Sequence, residues 1–194
     1  ALSHFPGDSA SFQNYGIALS ALGDLAAEEG DLITAGSLYE NASRQFSFGA
    51  VVNPRDSHLL TTWVHVLTSQ AKACASPESL DAKIALLRRA DRLSERASQC
   101  NSENYFVYDH WGLALSHLGR SLASCARLPD DYEAVDQCFE KAAAKFSRAS
   151  ELDPDPSTLL NRGLSHWYHA GTCSHPSRQS LALDLFAQAT NALE

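Results

Sequence analysis

Apolar residues, mostly Ala and Leu, recur along this chain at three- and four-residue steps, and period-two alternation is nearly absent. Such spacing lays one apolar stripe along an α-helix, so the pattern predicts helices from end to end. Breaks fall at "EGD" (29–31), "NPRD" (53–56), "SPES" (76–79), "CNSEN" (100–104), "DPDPS" (153–157) and "SHPS" (174–177). Proline stops a helix because it lacks an amide donor and pushes the preceding residue out of the α region. Ser76 reads as an N-cap with Pro77 as the first helical residue. "DDYE" at 130–133 reads as a capping box, with Asp130 capping and Glu133 reaching back. The predicted helices are 9–29, 31–50, 56–75, 77–100, 103–127, 131–152, 156–171 and 176–194. Short connections make neighbours antiparallel, which gives four hairpins (9–50, 56–100, 103–152, 156–194) in one all-α domain spanning 1–194.

Within these hairpins a signature returns. Residues 19–42, "LSALGDLAAEEGDLITAGSLYENA", place Leu19, Leu22, Gly23 and Ala26 on a first helix and Ala35, Tyr39 and Ala42 on a second. The second-helix part returns as Ala142, Phe146, Ala149 and Pro154, and again as Ala182, Phe186 and Ala189. The matching first helices are "WGLALSHLGR" (111–120), with Gly112, and "NRGLSHWYHAG" (161–171), with Gly163. This arrangement resembles the tetratricopeptide repeat, patterned W-x2-L-G-x2-Y and A-x3-F-x2-A followed by Pro. The hairpins here are longer than the family's, about 45–50 residues against 34, and residues 56–100 match it least, with Trp63 out of register.

The resemblance implies a right-handed α-solenoid of about four hairpins, its inner helices lining a concave groove that binds a partner polypeptide. One subset of the family clamps a C-terminal carboxylate with basic residues on its inner helices. The corresponding positions here are Ser20, Asp24, Asp109, Leu113, Leu160 and Leu164, none of them basic, so that clamp is not expected. A second subset, the type III secretion chaperones for translocator proteins, is small and acidic and stands as an alternative reading.

Composition narrows the field. With 44% hydrophobic and 20% charged residues, the chain has the balance of a folded soluble protein. Its formal charge of −8 argues against nucleic acid, which needs a basic surface. No run approaches the roughly 20 apolar residues of a membrane span. Five cysteines without a CxxC pair suggest reduced thiols and a cytoplasmic protein. A chain that starts at Ala1 and lacks Met is expected to belong to a longer protein or assembly.

Candidate chemistry is thin. His166, His169, Cys173 and His175 form the densest polar cluster, and a metal protein or enzyme built on it is the alternative of another class. Its spacing matches no standard zinc site, and no nucleophile elbow, phosphate loop or paired carboxylate motif is present, so neither enzyme activity, metal nor cofactor is expected. His58 with His65 and His110 with His117 share helix faces. Arg88, Arg89, Arg92 and Arg96 read as a solvated face, with a docking stripe for an acidic partner as the alternative. If Tyr108, Trp111, Leu115 and Leu118 form the core stripe of their helix, then Phe106, Asp109, Leu113 and His117 face the groove. The same reasoning adds Asn161, Leu164, Trp167 and Tyr168, and on the first helix Ile17, Ser20 and Asp24. These side chains suit an apolar or basic segment of a partner protein.

Overall fold

The computed structural model describes residues 8–128, 131–173 and 179–191. Among them eight α-helices run in sequence: α1 (Ser9–Glu28), α2 (Leu32–Val52), α3 (Ser57–Ala73), α4 (Leu80–Cys100), α5 (Tyr105–Cys125), α6 (Asp131–Leu152), α7 (Pro156–Gly171) and α8 (Gln179–Asn191). No strand occurs among the described residues. Each odd-numbered helix packs against the next one in the chain, which gives the four expected hairpins. The hairpins group into two compact units, residues 1–101 and 102–194.

Acidic and amide side chains start most of the helices. Asp31 accepts from the Thr34 amide at 3.0 Å, Asp56 from Leu59 at 3.0 Å, Asn104 from Phe106 at 3.1 Å and Asp155 from Ser157 at 2.8 Å. Each satisfies an amide that the first turn leaves orphaned, worth about 1 kcal/mol. Pro156 occupies the first turn of α7, where its missing donor costs nothing. Gly30, at φ 83°, turns the chain from α1 into α2 in the left-handed region that favours glycine.

One capping expectation needs correction, and another falls partly outside the described residues. Ser76 does not cap α4: Pro77–Ser79 forms a 3-10 turn, the Ser79 hydroxyl bonds back to the Ser76 carbonyl at 2.6 Å, and the α-helix begins at Leu80. Asp130 lies outside the described residues, and the Glu133 carboxylate accepts from Gln137 at 3.2 Å. The neighbouring Asp131 carboxylate instead accepts from the amides of Arg127 and Leu128, at 2.7 and 2.8 Å.

A glycine–aromatic seam holds α1 to α2, and another holds α5 to α6. The octapeptides "GIALSALG" (16–23) and "GLALSHLG" (112–119) are near-copies, each facing an aromatic pair on the following helix. A Cβ at Gly16 would lie 2.8 Å from the Phe46 ring, and one at Gly23 2.8 Å from the Tyr39 ring. In the second unit the same positions, Gly112 and Gly119, would meet Phe146 at 2.7 Å and Phe139 at 2.8 Å. All four rings are buried, and Ala35, Ala42, Ala142 and Ala149 are fully covered beside them. The repeat signature is therefore a packing motif: the small residues make room, and the rings fill it.

Residues 56–100 are no less ordered in packing for matching the repeat poorly. Leu59, Leu60 and Leu67 on α3 and Leu87 on α4 are fully buried. The Trp63 indole N–H donates to the Ser43 hydroxyl at 2.7 Å, and the Arg89 guanidinium lies 4.5 Å from the Trp63 ring centroid. Arg89 is thus drawn onto an aromatic face, not merely solvated.

Candidate partner-binding surface

In the second unit, packing on α6 fixes which sides of α5 remain for α7. With Gly112 and Gly119 turned to the α6 rings, Leu113, Ser116, His117 and Arg120 are brought to the α7 side. The two helices are pinned there by polar contacts. The Ser116 and Ser165 hydroxyls are 2.7 Å apart, and the Asn161 amide donates to both Asp109 oxygens at 3.2 and 3.4 Å. Burial pushes the Asp109 carboxyl above its ordinary value, and the Asn161 hydrogen bond offsets part of that.

Beside these contacts lies a cleft of about 110 Å³, lined on α5 by Leu113, Ser116, His117 and Arg120 and on α7 by Asn161, Leu164, Ser165 and Tyr168. One end is closed by the Arg120 guanidinium, 3.9 Å from the Tyr168 ring centroid. Trp167 stands beside it edge-on to Tyr168, ring centroids 5.3 Å apart, and is 55% exposed. Leu164 and Leu160 are exposed on the same helix, at 38% and 49%.

Five of the residues expected in a groove therefore meet in one cleft: Leu113, His117, Asn161, Leu164 and Tyr168. Others lie elsewhere. Phe106 is exposed near the start of α5, its ring stacked 4.1 Å from Tyr105. Ile17 is exposed on α1, in the other unit. Ser20 and Asp109, expected to face a groove, are buried. The expected stripe of α5 is correspondingly altered: Leu115 and Leu118 are buried, but Tyr108 and Trp111 are only half-buried. They carry the cations of Arg148 and Lys145 over their rings at 5.9 and 3.6 Å. Large aromatics suggested a core, whereas the tightest contact belongs to Gly112 and Gly119.

Asp24 lines a second and larger cleft, in the first unit, of about 530 Å³ between α1, α2 and α3. Its Oδ1 accepts from the Tyr39 hydroxyl at 2.7 Å. Burial, reinforced by this carboxylate, raises the Tyr39 pKa and keeps the phenol protonated. Glu28, Ser69 and Lys72 complete the polar part of the lining. Sequence reasoning missed Ser69 and Lys72 because α3 carries no clear repeat signature to align it by.

The described members of the histidine cluster make structural contacts. His169 Nε2 lies 2.7 Å from Asp136 Oδ1, and its ring stacks on Phe139 with centroids 4.6 Å apart. His166 is buried, which lowers its pKa, with Arg162 and His169 adding to the effect. Cys173 is buried against α8 with its thiol 3.5 Å from the His169 carbonyl, and His175 lies outside the described residues. Among the described residues, no three His, Cys, Asp or Glu side chains are placed to hold a metal ion. No described helix is long and apolar enough to cross a membrane.

No protein-family model matches the chain, and no curated protein matches it. Among solved structures, the de novo designed helical repeat protein DHR64 superposes with a TM-score of 0.50 at 17% identity, covering 95% of this chain and 89% of its own. MamA (MSR-1) covers 91% of this chain and 95% of its own, with a TM-score of 0.33 and 18% identity. The first likeness supports a helical repeat fold.

Proposed function

We propose that the protein is an interaction scaffold of tetratricopeptide-like hairpins that binds a partner polypeptide on the α5–α7 face of its second unit. The observation that carries this reading is the cleft itself, where Leu113 and Leu164 flank a row of polar side chains and Trp167 stands exposed alongside. Monomeric surfaces rarely gather apolar and aromatic side chains around a concavity without a binding role. The cleft holds about one aliphatic side chain of an extended segment, with Asn161 and His117 lining the path of its backbone. The net charge of −8 favours a partner segment that is apolar or basic. Five thiols spread singly along the helices fit a reducing compartment such as the cytoplasm.

Selection from a displayed peptide library tests it. Peptides captured by the parent are expected to be lost by the Leu113→Glu, Leu164→Glu double variant and kept by Ile33→Glu, which alters an 88% exposed residue of the first unit. Helical content and melting temperature should match across the three proteins. Equal capture by parent and double variant, or no capture by any of them, overturns the proposal.

A further inference from the structure

The two units share a seam but finish it with opposite charges. Immediately after the second glycine of the matched octapeptides stands Asp24 in the first unit and Arg120 in the second. Counted from the capping carboxylates Asp56 and Asp155, Ser69 on α3 holds the place of Tyr168 on α7. In the second unit this corner is filled from within, by the Arg120 guanidinium on the Tyr168 ring. In the first unit the Tyr39 hydroxyl reaches Asp24 at this corner, and Asp24 and Ser69 border a cleft of about 530 Å³ that extends along Ala27, Glu28, Leu32, Lys72 and Ala73.

We propose that the α1–α2–α3 cleft of the first unit takes an arginine side chain from a partner polypeptide. The second unit displays the group that fits such a corner, a guanidinium. The first unit withholds that group and supplies its counter-charge. Asp24 and Glu28 stand one turn apart on α1 and both line the cleft, so a planar cation can be held from two sides. The Tyr39 hydroxyl donates to Asp24 Oδ1 and fixes the carboxylate's orientation toward the cleft that it lines. Ala27 and Leu32 offer apolar surface to the methylene stem. Lys72, on the opposite wall, leaves two carboxylates to one ammonium, and its donors suit a carbonyl of the ligand's backbone. An anionic ligand would meet two carboxylates and is disfavoured. This inference rests on the reading of the protein as a polypeptide binder, but it concerns a different unit and different residues.

Amide chemical-shift titration with the blocked tripeptide acetyl-Ala-Arg-Ala-amide, and with its uncharged citrulline counterpart, tests it. The arginine peptide is expected to shift the amides of Ala27, Ser69, Lys72 and Ala73, and citrulline to weaken binding about tenfold or more. Asp24→Asn combined with Glu28→Gln should weaken arginine binding to a similar extent. The side-chain amide oxygen introduced by Asp24→Asn can still accept from Tyr39, so the remaining spectrum should be preserved. No shift at these amides, equal binding of citrulline, or full binding by the double variant overturns the inference. Leu113→Glu, Leu164→Glu should leave this titration unchanged, so loss of the α5–α7 site and loss of this one are read separately.

Discussion

Replacing Gly112 with alanine is the most direct probe of how the hairpins are built. Its added Cβ would lie 2.7 Å from both Cε1 and Cζ of Phe146 and 2.8 Å from Cδ1. Carbon atoms rest at about 3.5–4.0 Å, so the ring would have to retreat by roughly 1 Å. It has nowhere to go, being fully buried against Leu115 and Ala142. Overpacking of this kind costs roughly 1–3 kcal/mol. Removing a glycine from a helix interior returns about 0.5–1 kcal/mol, so the net loss should be about 1 kcal/mol. Gly36 supplies the control, because a Cβ there meets nothing within 4 Å. Gly36→Ala should therefore gain about 0.5–1 kcal/mol. Urea unfolding of the two variants measures the difference, and a midpoint shift without a change in slope identifies a stability effect. Combining Gly112→Ala with Phe146→Leu should recover part of the loss, giving a coupling of about 1 kcal/mol between the two sites. If Gly112→Ala were as stabilising as Gly36→Ala, the seam would not carry the packing assigned to it.

Two further outcomes follow from buried polar groups. Ser43→Ala removes the acceptor of the Trp63 indole N–H and should cost about 1–3 kcal/mol, with a shift in tryptophan emission; unchanged stability would refute the bond. Burial lowers the pKa of His65, with Asp24 opposing and Lys72 assisting, and also that of His166. Both are depressed below the unfolded value near 6.5, so the unfolded chain binds more protons and stability falls as the pH drops below about 6.5. His65→Gln combined with His166→Gln should flatten the melting temperature between about pH 7.5 and 5.5, and an unaltered slope would count against these burials.

The helices and their order were legible in the sequence because their ends are written in local chemistry. Asp31, Asp56 and Asp155 sit where polar breaks precede apolar periodicity, and all three cap as such residues should. The candidate surface was only partly legible. Leu113, Leu164 and Tyr168 reach one cleft, but Asp109 is buried through Asn161, which is 52 residues away and invisible to local spacing. Aromatic size suggested Tyr108 and Trp111 as the inner stripe, yet helix approach here is governed by residues with almost no side chain. Hydrophobic periodicity gives Gly112, Ser116 and Gly119 little weight, although all three are buried. Comparison of the chain with itself carries the missing signal: "GIALSALG" and "GLALSHLG" mark the same contact twice.

That doubled contact separates what a hairpin must keep from what it is free to change. Tyr39 and Phe139 fill matching notches and differ by one oxygen atom. The ring performs the packing in both places. The extra hydroxyl reaches Asp24 in one, and in the other the bare ring leaves its face to His169. Chemistry at the rim of each hairpin can accordingly be rewritten without renegotiating the interior, which makes the pair a natural frame for grafting new recognition: hold the glycines and rings constant, and exchange residues 24, 69, 120 and 168.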